Sequence, residues 1–323
     1  MRIDKSTLWE RYKPYFRIGA AVDEDKMERY YDLLQHFNSI TPENQLKPVI
    51  VHPNKDEYRF EKCDRLVDYA KENGKVVRGH TLVWHNQTPQ WMFARGEDTV
   101  KNLQEHIQTI MDQYKDTIHD WDVVNEIFSD EEDELLRKTE WLKYVGEKYV
   151  DLALNWAHEA NPRAELFIND YNIEIGKKAD KAIDYIVSLK KRGIPITGFG
   201  LQSHYRIYYP TIDIIRGFFS RISKLNIKIR ITELDVSMFS YEDHSHMAGP
   251  SLKLLDLQKK YYESLFTVYR EYKDLIDSVT FWGIADDYTW LDDFPVENRK
   301  DWPLLFDEKH MRKPAFYGIL DLI

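Results

Sequence analysis

The chain has 323 residues, of which 43% are hydrophobic and 31% are charged, a globular composition that excludes the low hydrophobicity of disordered proteins. Its formal net charge of −10 argues against nucleic acid and anionic membranes as partners, because both bind clustered Lys and Arg. The charged start MRIDKSTLWERYK has no signal-peptide core and no later apolar run reaches transmembrane length, so we expect a cytoplasmic protein.

Eight β-prone runs follow one another along the chain, separated by longer segments with helical patterns. In chain order the runs are YFRIGAAV (15–22), FNSITPEN (37–44), KVVRGHTLVWH (75–85), HDWDVVNE (119–126), AELFINDYN (164–172), GFGLQSHY (198–205), KIRITELDVS (228–237) and SVTFWGIADD (278–287). Parallel strands need crossover connections, so this strict alternation predicts an α/β fold with a single (β/α)8 barrel domain over residues 1–323. A doubly wound open sheet is the alternative fold.

Two of the intervening segments show an apolar helical face in the sequence itself. The faces are Met27, Tyr30, Tyr31, Leu34 and Phe37 after the first run, and Leu103, Ile107, Ile110, Met111 and Tyr114 after the third. Cys63, the only cysteine, lies in another helical pattern, where we expect a packed thiol and no disulfide.

The C-terminal ends of the predicted strands are unusually polar. They read TPEN, HTLVWH, NE, NDYN, QSHY, TELD and WGIADD. Burying a polar group without a partner costs roughly 2 to 7 kcal/mol, so a barrel mouth lined by these ends would be unfavourable unless it binds a ligand. Barrel enzymes carry their chemistry at this face. The strand ends therefore predict an active site at the barrel mouth.

Glu233 continues a row of apolar residues in the run KIRITELDVS. Ile229, Ile231 and Glu233 share one parity, so strand alternation predicts that they point into the barrel. The same alternation predicts that Arg230 and Thr232 point out. A carboxylate is thus expected at the top of an apolar core.

A second carboxylate, Glu126, ends the run HDWDVVNE next to Asn125. These two neighbours have opposite parity, so both can face the mouth only if the strand gives way to a loop there. Two carboxylates at converging strand ends suit glycoside hydrolysis, in which one protonates the leaving oxygen and the other attacks the sugar or activates water. Structural salt bridges are the alternative for either acid taken alone.

The polar strand ends belong to longer segments that occur in one order between residues 41 and 316. These are TPENQLKP, GHTLVWHNQTPQW, WDVVNE, LFINDYN, GFGLQSHY, ITELDVS, FWGIADDYTWLDDFP and PLLFDEKHMRKPAF. Together they resemble the endo-1,4-β-xylanases of glycoside hydrolase family 10. The resemblance implies cleavage of internal β-1,4-xylosidic bonds in xylan-derived xylo-oligosaccharides, without a cofactor.

The resemblance also implies roles for the residues at the strand ends. Glu126 would be the acid/base and Glu233 the nucleophile of a retaining double displacement through a covalent glycosyl-enzyme. Carboxyl groups about 5 to 5.5 Å apart would fit that mechanism. Asn125 would contact the 2-hydroxyl of the sugar being cleaved, and His204 and Asp235 would form a hydrogen-bonded chain that orients Glu233.

The substrate-binding residues implied by the resemblance lie on both sides of the scissile bond. The central subsite would contain His80 and Gln202. On the glycone side, xylose hydroxyls would be bound by Glu43, Asn44 and Lys47, and the wall of the cleft would be formed by Trp84, Trp282 and Trp290. Tyr171 would stack on the leaving-group side.

The sequence departs from the family pattern in two places. The loop FSDEEDELLRKTEW is more acidic than is usual, and Ala285 stands where a Thr is more common. The family often carries a secretion signal, which is not found here, so we expect an intracellular enzyme that meets imported xylo-oligosaccharides and not polymeric xylan. Oligomeric state and preferred chain length stay open.

The sequence leaves two alternative functions open and gives no support to two others. A β-1,4-glucanase could share the Asn-Glu pair and the late Glu, and a non-catalytic sugar-binding barrel could share the fold. A catalytic metal is not expected, because His80 and His85 differ in parity and His244 and His246 form a lone pair in a polar loop. Nucleotide-binding motifs are absent from the sequence.

Overall fold

The computed structural model describes residues 6–94 and 96–323. Its strands are β1 (Arg17–Val22), β2 (Ser39–Pro42), β3 (Val76–Val83), β4 (Ile118–Asn125), β5 (Glu165–Asp170), β6 (Gly198–Leu201), β7 (His204–Arg206), β8 (Lys228–Ser237) and β9 (Ile276–Phe281). Its α-helices are α1 (Leu8–Tyr12), α2 (Tyr31–Leu34), α3 (Pro48–Val51), α4 (Glu61–Glu72), α5 (Asp98–Gln113), α6 (Glu140–Val145), α7 (Tyr149–Ala160), α8 (Gly176–Lys191), α9 (Ile212–Ile222), α10 (Leu252–Glu271) and α11 (Pro314–Leu320). Short 3₁₀ helices cover Glu24–Tyr30, Gln90–Met92 and Trp290–Asp292.

Parallel pairing closes the strands into a barrel. The strands pair from β1 through β6 in chain order, β6 pairs with β8, β8 with β9, and β9 returns to β1. The predicted (β/α)8 barrel is therefore confirmed, and the open sheet is wrong because no edge is left between β1 and β9. The run 198–205 forms two strands, since β7 separates from β6 and pairs with the far end of β8.

The helical face predicted between residues 101 and 114 is confirmed, because all five of its apolar residues are buried. The face predicted after β1 is wrong at Tyr31, whose side chain is 46% exposed and stacks on Tyr69 with ring centroids 5.3 Å apart. Residues 24–30 form a 3₁₀ helix with three residues per turn, so the side chains that follow do not keep the face expected from α-helical spacing. Cys63 is buried and unpaired.

The alternation predicted for β8 is confirmed for Glu233, which lines the cleft at the barrel mouth, but it is wrong for Arg230 and Thr232. Arg230 lies inside the barrel, where it pairs with Asp120 of β4, and Thr232 Oγ1 donates to Asn169 Oδ1 of β5 at 2.6 Å. Neither β4 nor β5 is a neighbour of β8, so these contacts cross the barrel interior. The register between β8 and β9 shifts twice, as at a β-bulge. A bulge interrupts the alternation of side chains, so the adjacent residues Thr232 and Glu233 can both face the barrel interior.

None of the helices in the described part of the chain combines the length and the apolar character that crossing a bilayer requires.

Candidate active site

A cleft with a volume of about 1410 Å³ opens at the C-terminal ends of the barrel strands. Every residue predicted from the sequence to act on or bind the sugar lines it: Glu43, Asn44, Lys47, His80, Trp84, Asn125, Glu126, Tyr171, Gln202, His204, Glu233, Asp235, Trp282 and Trp290. Tyr288 and Lys178, which the sequence did not single out, also line the cleft.

Glu126 occupies the first position after β4, where the backbone leaves the extended conformation. Its φ is 57°, the left-handed region that non-glycine residues seldom adopt, and its N–H donates to Asn169 O at 2.8 Å. This turn carries Asn125 and Glu126 to the same cleft, so the expected change from strand to loop is confirmed. Such strained residues persist only where surrounding contacts fix them, and here Arg137 Nε donates to the Glu126 carbonyl at 3.2 Å.

Glu233 is the more buried of the two carboxylates. It accepts a hydrogen bond from Asn169 Nδ2 at 2.7 Å and from His204 Nε2 at 3.2 Å. Burial favours the neutral acid, but the hydrogen bond from His204, the positive charges nearby and the Asn169 amide outweigh it and hold the pKa of Glu233 below its usual range. Glu233 is therefore ionised at neutral pH.

His204 lies between two anions. Its Nδ1 is 2.9 Å from Asp235 Oδ2 and its Nε2 is 3.2 Å from Glu233 Oε2. Burial alone would favour the neutral ring, but Asp235 and Glu233 raise the pKa of His204 to about 10. The ring is therefore an imidazolium that donates from both nitrogens. Trp290 Nε1 donates to the same Asp235 oxygen at 2.8 Å and fixes the far end of this chain.

Asn169, at the end of β5, connects the two halves of the site and was missed by the sequence interpretation. Its amide nitrogen donates to Asn125 Oδ1 at 2.8 Å as well as to Glu233. The signal was present in the strand end NDYN, from which only Tyr171 was selected. A side chain at Gly200 would collide with the amide, because an added Cβ would lie 2.4 Å from Asn169 Oδ1.

The orientation of the Asn125 amide follows from its neighbours. Gln202 Nε2 donates both to Glu126 Oε1 at 3.2 Å and to Asn125 Oδ1 at 3.3 Å. The amide nitrogens of Asn169 and Gln202 that contact Asn125 also each donate to a carboxylate. Both nitrogens are therefore donors, so the Asn125 oxygen must face them. The Asn125 amide nitrogen then lies 3.2 Å from Trp84 Nε1. Asn125 lines the cleft, so its amide nitrogen can donate to a bound ligand such as a sugar hydroxyl.

His80 is oriented by a buried carboxylate that the sequence interpretation did not use. Its Nδ1 lies 3.0 Å from Asp122 Oδ2, and Arg78 Nε donates to the same oxygen at 3.3 Å. Burial raises the pKa of Asp122, but Arg78 and His80 outweigh this and hold it below its usual range. Asp122 is therefore an acceptor, and His80 Nδ1 carries the hydrogen.

His85 was considered in the sequence only as a metal ligand, and the structure places it beside Glu126 instead. Its Nε2 is 3.8 Å from Glu126 Oε2, and burial lowers the pKa of His85, so the ring is neutral at pH 7. Across residues 6–94 and 96–323, no three His, Cys, Asp or Glu side chains converge in a way that could bind a metal ion.

The predicted glycone residues form a polar network of their own. Lys47 Nζ donates to Asn44 Oδ1 at 2.9 Å, and Asn44 Nδ2 donates to Asp23 Oδ2 at 2.9 Å. Tyr288, another residue missed in the sequence, donates to Glu43 Oε1 at 3.0 Å. Burial lowers the pKa of Lys47. These contacts fix donors and acceptors before any ligand binds.

Flat aromatic faces accompany this network. Trp282 meets His80 edge-on with ring centroids 5.2 Å apart, and Trp290 stacks on Phe294 at 5.0 Å. Lys47 Nζ lies 5.4 Å from the centre of the Trp84 ring. Rigid aromatic faces among fixed polar groups suit a ligand that is partly apolar and rich in hydroxyls, as a sugar is.

Comparison with known proteins gives one consistent family. The profile of Glycosyl hydrolase family 10 matches residues 7–322. Endo-1,4-beta-xylanase B of Paenibacillus barcinonensis is 44% identical over 329 residues, covering 99% of this chain and 99% of the relative. Beta-1,4-xylanase of Dictyoglomus thermophilum is 44% identical, covering 97% of this chain and 90% of its own.

Solved structures agree with the sequence matches. The crystal structure of xylanase XynB from Paenibacillus barcinonensis, complexed with a conduramine derivative, superposes with a TM-score of 0.96 at 44% identity, covering 98% of this chain and 99% of its own. A mutant structure in complex with xylotriose superposes with a TM-score of 0.95 at 43% identity, and the match covers 98% of this chain and 100% of the mutant chain.

The charge on His204 can be measured directly. We expect ¹⁵N NMR to show both ring nitrogens protonated at pH 8, with titration near the pKa of about 10. Because the pKa of His204 is higher in the folded protein than in the unfolded chain, protonated His204 stabilises the fold. This contribution is fully present below roughly pH 6.5 and is lost as the pH rises through the pKa of the folded state. Glu233→Gln should lower the pKa of His204, because it removes one of the two anions. A His204 ring that titrates near the ordinary histidine value would contradict the description given above.

Proposed function

The chain belongs to glycosyl hydrolase family 10, and on that basis we propose that it is a retaining endo-1,4-β-xylanase. It cleaves internal β-1,4-xylosidic bonds by double displacement. The observation that carries this proposal is the pair of carboxylates in one cleft, Glu126 and Glu233, connected through Asn125, Asn169 and Gln202 but placed in different environments.

In the first step Glu233 attacks the anomeric carbon of the bound xylose. The bond from that carbon to the leaving oxygen breaks, a bond to the Glu233 carboxylate forms, and Glu126 gives its proton to the leaving oxygen. Glu233 is suited to attack because His204 and Asn169 keep it ionised and point its oxygens into the cleft. The positive charge of His204 stays fixed throughout, because Asp235 balances it.

In the second step Glu126 acts as a base. It takes a proton from water, the water oxygen bonds to the anomeric carbon, and the bond to Glu233 breaks. Two inversions at one carbon give net retention of configuration. Every bond made or broken is served by these two carboxylates and water, so the reaction needs no cofactor.

The remaining cleft residues bind and orient the sugar chain. Asn125 lines the cleft beside Glu126, and its amide nitrogen can donate to the 2-hydroxyl oxygen of the sugar being cleaved. Such a contact strengthens as the ring becomes an oxocarbenium ion. The glycone residues Glu43, Asn44 and Lys47 supply further donors and acceptors, and Tyr171 offers a ring to the leaving sugar.

The alternatives considered in the sequence are not favoured. The relatives at 44% identity are named xylanases and not glucanases. A non-catalytic barrel would not require an ionised Glu233 next to an imidazolium, and both catalytic positions are occupied by Glu.

Substrate class is tested by paired aryl glycosides. We expect aryl xylobioside to be hydrolysed with a kcat/KM at least about 10-fold above that for aryl cellobioside, because a pocket that excludes a hydroxymethyl group discriminates by roughly 1 to 3 kcal/mol. Glu233→Ala is the control for contaminating activity and should hydrolyse neither compound. Faster cleavage of the cellobioside would reject the xylanase proposal and favour a glucanase.

We further propose that the enzyme acts in the cytoplasm on xylo-oligosaccharides. Its one cysteine is buried and unpaired, which suits a reducing compartment, and a related structure is described in complex with xylotriose. Fractionation of cells that express the native gene should recover the activity with the cytosol, and soluble xylohexaose should be cleaved in preference to insoluble xylan. Activity in the medium of intact cells would contradict this proposal.

A further inference from the structure

The loop between β4 and α6 carries the unusual cluster of acids noted in the sequence, and its acids are not equivalent. We call residues 129–137 the acidic loop. Three donors converge on the carboxylate of Asp130: the Tyr171 hydroxyl at 2.5 Å, Arg137 Nη2 at 3.0 Å and Lys178 Nζ at 2.9 Å. By contrast, Asp133 is exposed and does not line the cleft.

The backbone of the acidic loop is fixed by Lys181 of α8. One ammonium group donates to the carbonyl oxygens of Ser129 at 2.8 Å, Glu131 at 2.7 Å and Glu134 at 2.8 Å. An ammonium has three hydrogens, so these contacts use its full donor capacity. The loop therefore has a defined shape that does not depend on its exposed carboxylates.

The same loop is attached to the backbone of the acid/base. Arg137, which contacts Asp130, also donates to the carbonyl of Glu126 at 3.2 Å and to that of Phe128 at 3.3 Å. Asp170 Oδ2 accepts the Phe128 N–H at 2.9 Å. The turn that presents Glu126 and the carboxylate of Asp130 are thus parts of one connected unit.

Tyr171 is bound to this unit through its hydroxyl and its ring. Its hydroxyl donates to Asp130, and Lys178 Nζ lies 3.7 Å from the centre of its ring. Lys178 in turn contacts the buried Asp170 at 3.0 Å. Tyr171, Asp130 and Lys178 all line the cleft that holds Glu126. The ring expected to contact the leaving sugar therefore has a fixed position relative to the proton donor.

We propose that Asp130 is a positioning residue for leaving-group protonation. By accepting from Tyr171, Arg137 and Lys178 together, it sets the distance between the Tyr171 ring and Glu126. The leaving xylose, packed on that ring, then presents its glycosidic oxygen to the Glu126 proton. This inference rests on the proposed function, because it assigns a leaving-group role to one end of the xylanase cleft.

The proposal predicts an effect that depends on the leaving group. A sugar leaving group needs both the Tyr171 contact and the proton from Glu126, whereas 2,4-dinitrophenolate departs without protonation and carries no sugar on that side. Asp130→Asn should lower kcat/KM for xylotetraose about 10-fold, since small misplacements of reacting groups cost up to roughly 100-fold. The kcat/KM for 2,4-dinitrophenyl xylobioside should change by less than about 2-fold, because departure of this leaving group uses neither the Tyr171 contact nor the Glu126 proton.

Two further variants make the test specific. Tyr171→Phe keeps the ring but removes the hydroxyl that donates to Asp130 and accepts from Arg137 Nη2 at 2.5 Å, and it should reproduce the selective loss. The double variant should lose less than the product of the two single losses, because both changes disturb the shared hydrogen bond between Tyr171 and Asp130. If Asp130→Asn does not fold, Tyr171→Phe carries the test. Asp133→Asn makes the identical chemical change in the same loop and should leave both substrates unaffected.

The outcomes separate this proposal from the proposed function. If Asp130→Asn and Tyr171→Phe slow both substrates equally, or behave like Asp133→Asn, then Asp130 has no role in positioning the leaving group. If the parent enzyme fails to hydrolyse 2,4-dinitrophenyl xylobioside at all, the proposed function itself is wrong.

Discussion

The contact between the His204 imidazolium and the Glu233 carboxylate is the interaction on which this site depends. A carboxylate buried at the top of a barrel would ordinarily take up a proton, and a protonated Glu233 could not attack a sugar. His204 prevents this, but a lone imidazolium would itself be unstable there. Asp235 supplies the second anion, and Trp290 fixes Asp235, so the charge of Glu233 depends on a chain of four side chains.

Glu126 has a different environment from Glu233, and amide side chains at the strand ends connect the two carboxylates. Asn169 contacts Glu233, Asn125 contacts Asn169, and Gln202 reaches both Asn125 and Glu126. Neutral amides can bridge two carboxylates because each offers donors without adding charge. The arrangement keeps the two carboxylates in one cleft while the groups that surround each of them differ.

Local pattern in the sequence was sufficient to predict the barrel and a polar active-site mouth, whereas most individual site residues followed from the resemblance to the family. Every predicted run contains a strand, because alternation of strand and helix leaves few topologies, and the polar strand ends gather at one mouth once the barrel closes. The orientation of Arg230 and Thr232 was mispredicted because a register shift in β8 depends on its partner strand, which the run KIRITELDVS does not reveal. Asn169 and Asp122 were missed since their roles exist only through residues of other strands.

The central claim is that Glu233 forms a covalent bond to the sugar. The direct measurement is mass spectrometry of the enzyme after reaction with a 2-fluoro aryl xylobioside, which forms the glycosyl-enzyme but turns it over slowly. One fluoroxylobiosyl group per chain, located on the peptide that contains Glu233, is the result expected here. An unlabelled enzyme that still hydrolyses xylobiosides, or a label on Glu126, would contradict the account.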